Sequence, residues 1–444
     1  MSKQLLLWLM IYFGGLALAV AHPIYPMVSY LLFYYAPPHF NWWGKNLPDL
    51  RYSLLASAFI MLAIVLKSGS LERLKSVKNP ALPWLLLLGV NVCIVTTWAF
   101  NKYRSWTWAL AILKLIVLYI LIPVAVRTPA QFDTFSAVHI GGATYWGYKA
   151  WDNPERRSGR LKDVGGTDTQ NENQAAAHLL TVLPFVAVYV FSVKRRWLQG
   201  LIAVCGAFIV NVFILCNSRG ATLGFLAMGA AAILLAGKGR RMKLIGIGAV
   251  GLVALLALAD HRFLERQQTT TEHADGSSQG RIRAWKAGIQ FIRDYPLGGG
   301  GRAFHIMSAK YIPETVERHG GEERSVHNTF LQLGAEWGIQ GIILWTGFLV
   351  TSVYQSLKVR RRARGEPWYF YRLLAVELAL IGTIVAGVFG QRLYGESVYW
   401  MCALMVSLGR MHATAQDPAF APQPEVSVQT QESGVAVVSG ARAN

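Results

Sequence analysis

Apolar residues run along this chain in long blocks, and polar residues are confined to the gaps between them. Blocks at 107–126, 198–215, 244–259 and 370–387 approach the roughly 20 residues that an α-helix needs to cross a bilayer. A soluble core helix would be shorter or would show a polar stripe. The pattern predicts further spans near 52–66, 82–99, 106–126, 175–191, 221–236, 329–349, 371–387 and 399–408, with another helix over 132–148. Residues 1–36 are apolar but punctuated by His22-Pro23 and Tyr25-Pro26, so they form one broken span or two short ones. The opening resembles a signal peptide only superficially; the apolar segments that follow favour a retained first helix. An all-α polytopic membrane protein follows, with about 12 spans, or one more if residues 1–36 cross twice.

Composition agrees with this reading and excludes a soluble domain. The 444-residue chain is 53% hydrophobic and 15% charged, where a soluble domain carries about a quarter charged residues. A formal net charge of +19 would suit a nucleic-acid binder, but its distribution argues otherwise. The basic residues sit in short connectors at 67–78, 194–196, 238–243 and 358–364, which is the positive-inside pattern of cytoplasmic loops. Two spans then separate 194–196 from 238–243 and put 217–220 outside; one more puts 260–326 outside, and the C-terminus returns inside. Polar segments at about 150–173 and 260–326 are therefore external loops of a membrane domain over 1–412. Residues 413–444, rich in Ala, Gln, Pro and Val without period, read as a disordered cytoplasmic tail. Cys93, Cys205, Cys216 and Cys402 all lie in apolar segments without metal-type spacing and read as packing residues.

Ionisable residues at the edges of spans are the candidates for chemistry. Arg219 stands in Asn217-Ser218-Arg219-Gly220 just before an apolar block. Arg281 and Arg283 begin an external helix expected over 281–295 and ending before Pro296. His327 stands where the second external loop becomes a span. The topology puts all four on one side. Guanidinium groups donate paired hydrogen bonds to phosphate oxygens and stabilise a departing phosphate, and histidine accepts a proton from an attacking hydroxyl. Together they suit transfer from a diphosphate-linked donor to an alcohol. Each also has an ordinary reading: Arg219 as a snorkelling helix anchor, Arg281 and Arg283 as solvated side chains, His327 as an interface residue. The glycines at 298–301 suggest either a phosphate cradle or, without a Lys-Ser or Lys-Thr ending, a tight turn with close backbone approach. Asp152, Asp163 and Asp168 are too loosely spaced for a metal site.

These motifs, in this order, resemble the bacterial O-antigen ligase family. Asn217-Ser218-Arg219-Gly220 resembles its membrane motif. Arg281-x-Arg283-x-Trp285 and the run from Asp294 to Gly301 resemble its external segment. His327-Asn328-Thr329-Phe330 followed by Glu336-Trp337-Gly338 resembles its His-Asn motif. The likeness is strongest from about 175 to 350, and 168–175 resembles a further polar motif. It implies a GT-C-like inner-membrane glycosyltransferase without nucleotide, cofactor or required metal. Such an enzyme moves a polysaccharide from undecaprenyl pyrophosphate to the lipid A core oligosaccharide in the periplasm, with inversion. His327 would be the base. Arg219 and Arg281 would hold the pyrophosphate, with Arg283 the rival of Arg281. Ser218 and Asn328 would support, Asn328 by orienting the histidine or by starting a helix. Arg156, Arg157, Arg160 and Lys162 would meet phosphates of the acceptor, unless they only face solvent. O-antigen polymerases and protein O-oligosaccharyltransferases use similar donors and differ in acceptor. A transporter of lipid-linked glycan is the rival from another class, although no internal repeat supports it.

Overall fold

The computed structural model describes residues 2–66, 79–152, 156–157, 160–161, 164–166, 168–169, 171–235 and 276–416, with scattered residues between 237 and 253. Most of the expected span at 244–259, residues 254–275, Lys162 and the tail beyond 416 lie outside this description. In chain order the membrane-type helices are α1 (Lys3–Ala17), α2 (Ile24–Tyr35), α3 (Tyr52–Leu66), α4 (Leu82–Thr96), α5 (Lys102–Ala125), α6 (Pro129–Asp152), α7 (Glu172–Leu179), α8 (Leu183–Ser192), α9 (Arg196–Leu215) and α10 (Arg219–Leu235). After residue 328 come α15 (Thr329–Arg362), α16 (Pro367–Val388) and α17 (Glu396–Ala415). Between them stand α11 (Gly276–Asp294), α12 (Ala303–Ile306), α13 (Ser308–Tyr311) and α14 (Pro313–Arg318). A ribbon of β1 (Arg156–Arg157) and β2 (Arg160–Leu161) is the only sheet among the described residues.

Six helical stretches among the described residues are long and apolar enough to cross a membrane: Lys3–Val20, Lys102–Ala125, Glu172–Ser192, Arg196–Leu215, Thr329–Gly365 and Pro367–Val388. Tyr52–Leu66, Leu82–Thr96 and Arg219–Leu235 are shorter and equally apolar. The protein is thus a mostly helical, multi-pass inner-membrane protein with a mixed helical segment attached. Residues 1–36 form two helices folded back on each other: Ser29 Oγ donates to the Tyr12 carbonyl at 2.7 Å, and a Cβ on Gly15 would strike Ser29. The span expected at 175–191 is broken between α7 and α8, because Pro184 near the start of α8 has no N–H to continue the ladder. The final helix runs to Ala415, past the expected boundary at 412.

Three features of the packing position the site. First, α10 lies along α16 at close range: a Cβ on Gly224 would come within 2.4 Å of the Gly382 carbonyl, and one on Gly220 within 2.8 Å of Phe389. Small residues let membrane helices approach in this way, and here they bring residues 217–220 against residues 386–392. Second, α11 to α14 carry a core of their own, with Phe291, Phe304, Ile312, Val316 and Val326 buried together. The segment between α10 and α15 is therefore a packed layer. Third, α15 is kinked at Gly338, whose φ of 79° and ψ of 177° are not helical. The layer of α11 to α14 docks on that kink.

Candidate active site

The 298–301 turn is the hinge of this docking, and its backbone is fully committed. Gly298 N–H donates to the Tyr295 carbonyl at 3.0 Å and Gly299 N–H to the Ala335 carbonyl at 3.0 Å. Gly300 N–H donates to the Glu336 carbonyl at 2.9 Å, and Gly301 N–H to Ser105 Oγ at 3.1 Å. With every glycine amide spent inside the protein, none is left to cradle a phosphate. Gly298 and Gly300 have φ of +86°, and a Cβ on Gly298 would lie 2.5 Å from the Gly338 nitrogen. These glycines serve close backbone approach.

Beyond the turn lies a cavity of about 290 Å³. Its wall comes from separate parts of the chain: Asn173 and Gln174 of α7, Ser218 and Gly220 at the start of α10, Arg302 to His327 of the external layer, and Phe389 to Arg392 after α16. Three helices begin here. Asn171 Oδ1 caps α7, accepting from Gln174 N–H at 3.0 Å. Ser218 immediately precedes α10, and its Oγ donates to Asn173 Oδ1 at 2.8 Å. Asn328 Oδ1 caps α15, accepting from Phe330 N–H at 2.9 Å and Leu331 N–H at 3.1 Å. Helix N-termini present positive potential, so their convergence suits an anion. Asn328 holds the helix start, the ordinary alternative foreseen for it.

His327 is reachable from the cavity and sits just before that cap in a left-handed conformation with φ of 50°. A non-glycine residue held there marks a site where structure overrides local preference. The surrounding protein desolvates its ring, and the guanidinium groups of Arg281 and Arg324 add to this, lowering its pKa to about 4. Arg281 is thus electrostatically coupled to His327. Arg283 instead pairs with Glu314, 3.4 Å away, with the two side chains 40% and 77% exposed. Arg219 stands half-buried between the cavity-lining Ser218 and Gly220.

Three arginines that motif reading passed over also line the cavity: Arg302, Arg324 and Arg392. Arg302 lies over the Trp108 ring at 4.1 Å and donates from Nη1 to His305 Nε2 at 2.6 Å. Arg392, 1% exposed, donates to Ser397 Oγ at 3.1 Å and to the Gln174 carbonyl at 3.4 Å. Asp168 approaches it at 3.9 Å. That carboxylate is itself held by Glu396 N–H at 2.7 Å and by the Tyr34 hydroxyl. Behind Tyr34 a buried chain continues: His178 Nδ1 at 3.0 Å, Tyr35 from His178 Nε2 at 2.8 Å, and His139 Nδ1 at 2.6 Å from Tyr35. Gly395 leaves room for the guanidinium, since a Cβ there would lie 2.5 Å from Nη2. Arg392 Nε, Gln391 Nε2, Gln174 Oε1 and His305 Nδ1 are buried without a protein partner around this one cavity, so they are open to a polar ligand or to water. An arginine closing an apolar span, in Gly390-Gln391-Arg392, was the available sequence signal for the last of these.

The basic residues of the loop between α6 and α7 divide. Arg160 pairs with Glu172 and donates to Asn173 Oδ1 at 2.6 Å and the Cys216 carbonyl at 3.3 Å, so it braces the cavity from behind. Arg156 and Arg157 form the first strand of the ribbon. Among the described residues, no group of three or more His, Cys, Asp or Glu is arranged to hold a metal ion.

Residues 204–346 match the family model for O-antigen ligase. The chain is also 25% identical, over 295 residues, to the exopolysaccharide production protein ExoQ of Rhizobium meliloti (strain 1021). Both likenesses are distant and point to the broad O-antigen ligase superfamily, the family model over about a third of the chain. The ExoQ match covers 62% of this chain, and the chain spans 65% of that relative's length. The matched segment holds Ser218, Arg219, Arg281, Arg302, His305 and His327, whereas Gln174 and Arg392 lie outside it.

Proposed function

We propose that the protein is a GT-C-like membrane glycosyltransferase that moves a glycan from undecaprenyl diphosphate to a hydroxyl of the lipid A core oligosaccharide, at the periplasmic face of the inner membrane. The observation that carries the reading is His327, opening into a cavity also walled by Arg302, Arg324 and Arg392 and met by three helix starts. A diphosphate is the anion for which that much fixed cationic charge is suited. In this reaction the acceptor oxygen attacks the anomeric carbon from the face opposite the diphosphate, giving inversion. The carbon–oxygen bond to the diphosphate breaks, its electron pair leaves with the diphosphate, and His327 takes the hydroxyl proton. Arg219 and Arg281 share the leaving charge, Ser218 steadies the first of them, and Arg156 and Arg157 contact acceptor phosphates. The chain through Ala415 acts as one membrane transferase unit of about 12 spans, followed by a cytoplasmic tail.

A second reading differs only in acceptor. The relative ExoQ is named for exopolysaccharide production, which favours extension of a second prenyl-linked glycan, as in a polymerase. Purified full-length protein in nanodiscs, supplied with undecaprenyl-diphosphate glycan and neither metal nor nucleotide, tests both. A new glycosidic bond on purified lipid A core supports the ligase, and one on a second prenyl-linked glycan supports the polymerase. Bond formation on neither, or movement of lipid without a new bond, defeats both. In the same assay Arg281→Ala is expected to lose about 10- to 100-fold in kcat/KM, the scale of a lost charge-assisted contact. Arg283→Ala should stay within about 3-fold, because an exposed ion pair contributes little. Reversal of that order would give the diphosphate to Arg283.

A further inference from the structure

We infer that His305 is a second histidine of the substrate site, a neutral ring that donates its Nδ1–H to an oxygen of the donor's diphosphate, with Arg302 as the positioning residue that fixes its tautomer. This rests on the diphosphate reading of the cavity given above. The argument begins with hydrogen-bond inventory. Arg302 Nη1 stands 2.6 Å from His305 Nε2. A guanidinium has donors only, so Nε2 must accept and cannot carry a proton. The neutral ring then bears its proton on Nδ1. That Nδ1–H is buried and has no partner, yet His305 lines the cavity. A buried donor without an acceptor is unfavourable unless a ligand supplies one.

Arg302 is well suited to hold the ring. Its backbone is left-handed, with φ of 62°, directly after the committed glycine turn, and its guanidinium lies 4.1 Å from the Trp108 ring centre. The ring's neighbours oppose a second proton. Burial, then Arg302, His327 and Arg104, lower the His305 pKa to about 3. Arg324 and Arg392 line the same cavity, and its carboxylate Glu323 is paired with Arg104 at 2.7 Å. A fixed neutral donor among cations matches an acceptor-only oxygen of a diphosphate better than a sugar hydroxyl, which brings a hydrogen of its own.

The test uses the full chain in nanodiscs with 15N-labelled histidine, the His305 signals being assigned from His305→Asn. The expected spectrum has Nδ1 protonated and Nε2 bare from pH 5 to 8, and inorganic pyrophosphate shifts the Nδ1–H signal. Arg302→Met should let the Nε2–H tautomer appear. With prenyl-diphosphate glycan, His305→Phe should lose about 10- to 100-fold in kcat/KM. His305→Asn, whose amide N–H can take the place of Nδ1–H, should remain within about 5-fold. An Nε2–H or doubly protonated ring in the wild type, indifference to pyrophosphate, or an Asn variant no better than Phe would overturn the inference. A response to unphosphorylated glycan in place of pyrophosphate would also overturn it, by moving the contact to the sugar. A pyrophosphate shift in a protein that turns over no prenyl-diphosphate donor would uphold His305 as a diphosphate contact while defeating the proposed function.

Discussion

Replacing His327 with alanine is expected to lower kcat for glycan transfer by about 10²- to 10⁴-fold, the range a positioned general base contributes. The folded state should survive, since His327 lies outside the packed core of the external layer. His327→Asn is the better-controlled variant, because asparagine tolerates the left-handed backbone found there, with φ of 50°. It should lose as much rate as alanine with less strain. The pH profile gives an independent reading. A base works unprotonated, and His327, open to the cavity, is lowered to about 4 by desolvation and by the charges of Arg281 and Arg324. For the free enzyme, kcat/KM should therefore be level above about pH 5 and fall as pH drops through about 4. Removing the cation in Arg281→Ala should move that limb upward. A limb near the ordinary 6.5 in the wild type, or a wild-type kcat in His327→Asn, would remove this residue from the role of base.

The second large effect is expected far from any reacting atom. Gly338→Ala should lower both thermal stability and transfer rate. Its φ of 79° with ψ of 177° is a region that residues with a Cβ essentially do not enter, at a cost of order 1–3 kcal/mol. The new methyl would also stand 2.6 Å from the Leu297 carbonyl carbon and 2.4 Å from Gln340 Nε2, and such overpacking adds about 1–3 kcal/mol. The glycine turn hangs from the carbonyls of Ala335 and Glu336 beside this kink, and Arg302 and His305 follow the turn. Relief of the clash therefore displaces the cationic wall. Gly229→Ala is the control: it is helical with no atom within 4 Å of a new Cβ, so it should be neutral or stabilising by up to about 1 kcal/mol. Melting of purified protein in detergent, read beside transfer rate, checks both. An unchanged melting temperature in Gly338→Ala would show that the kink tolerates a side chain.

Much of this architecture was legible in the chain itself. Hydrophobic periodicity located α3, α4, α5, α9, α10 and α16 within a few residues, because a span must bury its backbone bonds internally and so must be a continuous apolar helix. It missed the break at Thr181 and the length of α15, which continues through Arg362. Its last turns are basic and polar, yet the ion pair of Arg360 with Glu377 at 2.7 Å buries part of them. Local motifs singled out His327, Arg219 and Arg281, and of these His327 lines the cavity. They did not find Arg302, His305, Arg324 or Arg392. Single residues in a loop carry no period, and their meaning depends on which segments fold together.

Sequence alone determined that this is a multi-pass helical membrane protein with basic and polar chemistry gathered at span ends. The bilayer imposes that result locally, residue by residue, through length and hydropathy. Only the tertiary structure decided what the glycines at 298–301 are for, because a backbone amide is a phosphate donor or a structural one according to its partner, and each of these four has found one inside the protein. It likewise distinguished Arg281 from Arg283, two residues apart in sequence: the charge of the first lowers the pKa of His327, and the second pairs with Glu314. It also turned Arg160 inward against Glu172. The cavity itself joins segments near 173, 218, 302–327 and 390, and charge acts through space over distances that the order of residues does not record.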